Sequence, residues 1–305
     1  MPVVGTVQWS VLLSGSSADI MSGHSVHYDR FMNQQASVSK AKVALSVALL
    51  SMWILSMVAL FLLGTLLHIP GANNVIVVFH KGVVRLLNLE CVVDDMPDEH
   101  RPTLYISNHI SYMDIFVLGS VLRGSFIAKS DVASWPLFGP LAKLQNCLFI
   151  DRDRHKVGSQ IEQIQRYLLN EGDLILFPEG TSAPGTHVAP FHSSLFQAAE
   201  HDDVEIRILP LTIAYTHYRN ERMDRQTRDY YAWYKPRKIV PHFLNGLGLG
   251  RARVQLTFHE AFYMSSFESR KACAKHCEAV IRQGLLNAID QDEEVLSAST
   301  RVDGA

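Results

Sequence analysis

Three short runs carry the residue types that acid–base and anion chemistry require. The first is Asn108-His109-Ile110-Ser111-Tyr112-Met113-Asp114, an imidazole and a carboxylate five residues apart. On one uninterrupted helix these side chains diverge by about 140°, at about 3.6 residues per turn. If His109 lies in a loop and Ser111 caps the helix after it, Asp114 falls in the first turn and can point back. Its carboxylate then fixes the imidazole tautomer and stabilises the protonated ring. The plainer reading is that Ser111-x-x-Asp114 is only a capping box. The second run is Asp151-Arg152-Asp153-Arg154, and the third is Pro178-Glu179-Gly180-Thr181-Ser182. Taken singly, a charged run is a solvated face and Pro-Glu-Gly a turn. Here each run follows an apolar, strand-like segment.

Those segments belong to an alternating pattern. TLYIS (Thr103 to Ser107) reads as a strand, followed by a helix from about Ser111 to Leu122. SFIAKS is a second strand, then comes a helical stretch around Pro136 to Leu144, and Cys147 to Ile150 is a third strand. Val157 to Asn170 places Ile161, Ile164 and Leu168 on one helical face, and Asp173 to Phe177 is a wholly apolar strand. Phe191 to Glu200 reads as helix, Ile206 to Ala214 and Arg253 to Phe258 as strands, and Glu268 to Ala288 as a closing helix. Alternation of this kind predicts an α/β fold, a mostly parallel mixed sheet flanked by helices. In such sheets functional loops leave the carboxyl ends of the strands, which is where the three runs fall.

The motifs resemble those of the lysophosphatidic acid acyltransferase family (1-acylglycerol-3-phosphate O-acyltransferases). Asn108, His109 and Asp114 match its first block, N-H-x(4)-D. Phe149-Ile150-Asp151-Arg152 matches the second, Phe177-Pro178-Glu179-Gly180-Thr181 the third, and Leu209-Pro210-Leu211 the fourth. The resemblance covers about Thr103 to Thr216 and implies a glycerolipid acyltransferase-like fold. It implies His109 as general base on a lysolipid hydroxyl, oriented by Asp114, with a contribution of about 10²–10⁴-fold. It further implies that Asn108, Phe177, Pro178, Glu179, Gly180 and Thr181 bind or shape the acceptor, that Arg152 grips a phosphate through its planar fork, and that Lys129 adds a basic residue. The co-substrate is acyl-CoA or acyl-carrier protein. Because the thioester supplies the activated carbonyl, no cofactor and no metal are expected. The implied product is phosphatidic acid, by transfer to the sn-2 hydroxyl.

One departure bears on the acceptor. Many family members follow the third block with arginine, where this chain has Ser182, with only His187 and His192 as basic residues shortly after. The continuation FPEGTSAPGTHVAPFHSSLF and the aromatic YYAWY (Tyr230 to Tyr234) resemble the lyso-ornithine lipid acyltransferase branch. That is the alternative acceptor. A further alternative is a lipid-binding membrane protein without activity, although a non-catalytic fold has no need to keep His109, Asp114, Arg152 and Glu179 together. The chain has no G-x-S-x-G elbow of the kind serine hydrolases use.

Composition bounds the rest. With 305 residues and a net charge of −2, the chain has room for a large α/β domain and no electrostatic signature of a nucleic-acid binder. Val43 to Leu67 is 25 residues without a charge, enough to cross about 30 Å of hydrocarbon. Val77 to Leu89 reads as an amphipathic helix with Lys81 and Arg85 on its polar face. The expected organisation is a poorly ordered segment at 1–40, a membrane anchor at 41–95, an acyltransferase domain at 96–290 and a flexible tail at 291–305. The expected location is the inner or plasma membrane, catalytic domain facing the cytoplasm. Four scattered cysteines favour reduced thiols. Cys273 and Cys277 flank His276 one turn apart, but no second cluster supplies the four ligands of a tetrahedral ion. Asn245 to Arg251 (NGLGLGR) reads as a flexible loop, Trp233 as an interfacial or a core aromatic, and Leu137, Phe138 and Leu141 as core positions or acyl-chain contacts.

Overall fold

The computed structural model describes residues 40–96, 98, 102–135, 138–151, 157–170, 172–201, 204–234 and 237–290. Arg152, Leu137 and the segments 1–39 and 291–305 therefore lie outside the described residues.

Helix α1 (Lys40–Leu66) is built from the uncharged run. It is long and apolar enough to cross a membrane, and only 17% of its most apolar window is buried, unlike a core helix. Met52, Leu55 and Leu66 are exposed on its outer side. On the inner side Val47, Leu50 and Ile54 line an apolar groove with Phe116, Phe138, Leu141, Phe243 and Leu247. Helix α2 (Asn74–Leu86) follows. The apolar spacing predicts a helix to Leu89, but the chain turns at Asn88, which takes φ 59°, a left-handed conformation that asparagine tolerates. Leu89–Asp94 then becomes strand β1. A six-residue run with no clean alternation gives too weak a periodicity to separate from the helix before it.

Next come β2 (Thr103–Ser107), α3 (Met113–Val121), β3 (Ser125–Lys129), α4 (Phe138–Leu144), β4 (Leu148–Ile150), α5 (Val157–Asn170) and β5 (Leu174–Leu176). β6 (Arg207–Tyr218) and β7 (Glu221–Arg222) follow, then α6 (Arg225–Tyr231), α7 (Ile239–Gly248), β8 (Ala252–Phe258), β9 (Phe262–Tyr263) and α8 (Arg270–Asp290). The 191–200 segment expected as α-helix is a 3₁₀ helix at Ser193–Ala199, bounded by extended backbone at His192 and Glu200. The 245–251 segment is not a free loop: Asn245 to Gly248 form the last turn of α7. Gly246 packs there against the end of the Met113 side chain, a Cβ at this position lying 2.8 Å from Met113 Cε.

The strands form one mixed sheet in the order β1-β8-β6-β2-β5-β3-β4, with β7 and β9 also on β6. All neighbours along that path are parallel except β6 and β8. β2 lies at the centre and is buried at every residue, as a parallel strand covered on both faces must be. α5 and α8 cover one face. Their Ile164, Leu168, Cys273, Cys277, Ile281 and Leu285 share a core with Leu104, Ile106, Leu174 and Ile208. The two cysteines thus serve as small apolar side chains, and burial pushes the Cys277 thiol up. Phe262 and Phe267 flank the ring of His276.

Candidate active site

β2 pairs with β5 on one side and β6 on the other, with Ile106 opposite Leu176 and Ser107 opposite Leu211. The loops leaving β2 and β5 therefore emerge side by side at the carboxyl edge of the sheet. This adjacency brings together residues separated by 70 positions in the chain.

Asn108 is the first residue beyond β2, and it continues the ladder with its side chain. Its Nδ2 donates to Ile213 O at 2.9 Å, and its Oδ1 accepts from Ile213 N at 2.9 Å. The reciprocal pair fixes the point where the chain leaves the sheet, so His109 starts from a rigid position. Helix α3 begins at Met113, two residues after the expected start, with Tyr112 in the N-cap position and no side-chain cap. Asp114 is in the first turn, and its carboxylate is buried completely. Oδ2 accepts from Ile110 N at 2.6 Å and from Ser111 N at 2.9 Å, and lies 2.9 Å from His109 Nδ1. As a carboxylate Asp114 can only accept. His109 Nδ1 therefore carries the hydrogen, and Nε2 presents a lone pair. The imidazole side chain keeps 18% exposure. Phe177 stacks on the ring at 4.2 Å between centroids and 21° between planes, which holds it from the flank.

The turn after β5 approaches the backbone of the same histidine. Glu179 is buried, its Oε1 accepting from His109 N at 2.7 Å and its Oε2 from Ala189 N at 2.7 Å. Burial pushes its carboxyl up to about 7, partly offset by these two amide donors. Gly180 takes φ +66° to close the turn, with its N–H on Phe177 O at 3.1 Å. Ala183 N donates to His109 O at 2.8 Å, and His192 N to Pro178 O at 2.9 Å, which ties the turn down at both ends. Thr181 is exposed beside it. Ser182 Oγ donates to Trp233 O, and Trp233 N donates to Ile110 O at 2.9 Å. Trp233 is half-buried, its ring edge-on to Tyr112 and Trp135. Lys129, at the end of β3, pairs with Asp131 and is exposed.

The sequence reading missed one member of this constellation. Tyr215 OH donates to Asp114 Oδ1 at 3.0 Å, from the far half of β6. The available signal was a tyrosine on the inward register of an otherwise apolar strand, LPLTIAY. It carried no meaning until Asp114 was placed opposite. Among the described residues no group of three or more His, Cys, Asp or Glu side chains is arranged to hold a metal ion.

Comparison with known proteins bears on this geometry. The acyltransferase family model matches residues 88–214, which include both loops. A lyso-ornithine lipid O-acyltransferase of Brucella abortus is 36% identical over 217 residues, covering 69% of this chain and 81% of that protein. The chain belongs to the acyltransferase family. A lyso-ornithine lipid O-acyltransferase of Rhizobium meliloti is also 36% identical, over 68% of this acyltransferase and 73% of the relative. A 1-acyl-sn-glycerol-3-phosphate acyltransferase of Neisseria gonorrhoeae is 31% identical over 47% of the chain and 56% of its own length. The crystal structure of the 1-acyl-sn-glycerophosphate acyltransferase PlsC of Thermotoga maritima superposes with a TM-score of 0.55 at 22% identity. It covers 80% of this chain and 96% of that one, and so shows the shared α/β fold.

Proposed function

We propose that this acyltransferase moves a fatty acyl group from a thioester donor, acyl-CoA or acyl-carrier protein, to the hydroxyl of a lysolipid, and that the acceptor is lyso-ornithine lipid. The observation that carries the reaction is the His109–Asp114 pair, with Nε2 of an imidazole of fixed tautomer left to accept a proton. The hydroxyl oxygen attacks the thioester carbonyl as its proton passes to Nε2. Collapse of the tetrahedral intermediate breaks the C–S bond, and the imidazolium returns the proton to the departing thiolate. Asp114 stays ionised and holds the transient positive charge. Phe177, Pro178, Glu179, Gly180 and Thr181 shape the acceptor side, and Asn108 acts by fixing where His109 leaves the sheet. No cofactor enters, because the donor arrives activated.

The acceptor assignment rests on Ser182. Its hydroxyl is committed to the carbonyl of Trp233, and the arginine common at this position in the lysophosphatidate enzymes is absent. Ornithine lipids carry no phosphate to be held there. Three relatives aligned over more than two thirds of this chain, from Brucella abortus, Rhizobium meliloti and Rhodobacter capsulatus, bear the lyso-ornithine lipid name. The second reading, transfer to 1-acylglycerol-3-phosphate, is favoured by Arg152 in the second block and by the shorter Neisseria match. Helix α1 suits an enzyme whose acceptor and product are membrane lipids. A soluble thioester donor puts the catalytic residues on the cytoplasmic side.

Membranes from a host lacking its own enzyme, carrying this chain, separate the readings. Labelled acyl thioester is offered with lyso-ornithine lipid or with lysophosphatidic acid. Labelled ornithine lipid is the expected product. Labelled phosphatidic acid alone overturns the acceptor assignment. No transfer to either, from folded protein, overturns the enzymatic reading.

A further inference from the structure

Beyond the motif residues, one buried side chain touches the catalytic pair from outside every block. We propose that Tyr215 is a positioning residue of the acyl-transfer reaction: its phenol fixes and shields the Asp114 oxygen that the loop backbone leaves open, and through it sets the basicity of His109. The proposal rests on the acyl-transfer reading and adds a residue to that site.

Asp114 has two oxygens with different partners. Oδ2 takes both loop amides and the imidazole. Oδ1 faces away from the loop, and its partner is Tyr215 OH at 3.0 Å. Both residues are fully buried, so no bulk water reaches the bond. An ionised oxygen buried without a donor is costly, and its charge redistributes toward whatever donors remain, here including the imidazole N–H.

The phenol is itself fixed. β6 runs beyond the end of β2, and alternation puts Tyr215 on the same side as Ile213, the residue that clamps Asn108. Its ring stacks on Tyr231 at 5.5 Å and 24°. Its carbonyl accepts from Nε of the buried Arg228 at 3.1 Å, while Arg228 Nη2 donates to Met223 O at 2.9 Å. Burial and the neighbouring carboxylate raise the phenol well above its ordinary range, so it remains a donor at any working pH. The other titratable groups facing this network are Glu179 at the backbone of His109, Tyr112 and Cys91 around Tyr215, and Tyr218 beside Tyr231. A purely packing role is served as well by phenylalanine, which sets up the test.

Tyr215→Phe removes one oxygen atom. We expect kcat to fall about tenfold with KM unchanged, the scale of one hydrogen bond to a charged group. The decisive readout is independent of turnover. Diethyl pyrocarbonate reacts with unprotonated imidazole, and mass spectrometry follows His109 alone among the 14 histidines. With the phenol gone, Asp114 holds the imidazolium more strongly, and the His109 reaction profile moves to higher pH. A second variant carries 3,5-difluorotyrosine at position 215. It keeps the shape of the side chain, donates more strongly and moves the profile to lower pH, which keeps the test open if the phenylalanine variant does not fold. Profiles that do not move in either variant overturn the proposal, whether or not turnover falls. If the wild-type protein transfers no acyl group, the functional reading fails while the His109 profiles still decide the role of Tyr215.

Discussion

The loop after β2 and the turn after β5 each bury a carboxylate against the same residue, yet they use it differently. Asp114 engages the imidazole of His109 and is surrounded by donors on both oxygens: two amides, the ring N–H and the Tyr215 phenol. Glu179 engages only the backbone of His109 and of Ala189, and burial holds its carboxyl up near 7. In the proposed reaction the first arrangement tunes a proton acceptor. The second fixes the chain that carries it and shapes the space beside it. On that proposal two acids at one histidine have separable roles, chemistry for one and architecture for the other.

The largest effect belongs to the chemical side. His109→Ala is expected to lower acyl transfer by at least about 10² while the thermal unfolding midpoint stays near that of wild type, because the ring is part-exposed and carries little of the core. Retained activity would remove the general base from the mechanism.

Glu179 sharpens the contrast through pH. Its folded-state value, about 7, lies above the unfolded value of 4.5, so the folded protein holds the extra proton between them. The stability this contributes is complete below about pH 4.5 and is lost as pH rises through about 7, a change of about 3 kcal/mol at about 1.4 kcal/mol per unit. Glu179→Gln should flatten that slope in unfolding experiments from pH 4 to 8. An unchanged slope would mean Glu179 is not its source.

Two smaller changes probe the turn itself. Ser182→Arg breaks the bond to Trp233 O and introduces the phosphate-binding fork. We expect the ratio of lysophosphatidic acid to lyso-ornithine lipid use to rise about tenfold, the value of about 1.4 kcal/mol. Competition between the two acceptors in one assay reads it directly. Gly180→Ala places a Cβ at φ +66° and 3.3 Å from the His192 ring, and should destabilise the fold by about 1 kcal/mol. The shift is measurable as a lowered unfolding midpoint.

Much of this was legible in order along the chain. The helix Val157–Asn170 emerges with its expected bounds because its apolar face repeats cleanly and Gly172 follows it. The central strands were visible as apolar runs ending in polar loops. What stayed hidden were elements without a period of their own. β1 adjoins a helix of similar composition. α6 and α7 lie in a stretch of mixed aromatics, and the glycines of NGLGLGR disguise the end of α7, where Gly246 packs against the tip of Met113.

The site divides along the same line. The sequence by itself determined that an imidazole, two carboxylates and a tight glycine turn stand at the ends of apolar strands, because residue type and local spacing are written in the chain. Only the tertiary structure decided that β2 and β5 are neighbours, which brings Glu179 to the His109 backbone and Phe177 to its ring. It alone sent β6 far enough past β2 for Tyr215 to reach Asp114, 101 residues away. The physical reason is that strand order and register come from how the whole core packs, and no local pattern encodes which strand end will face which.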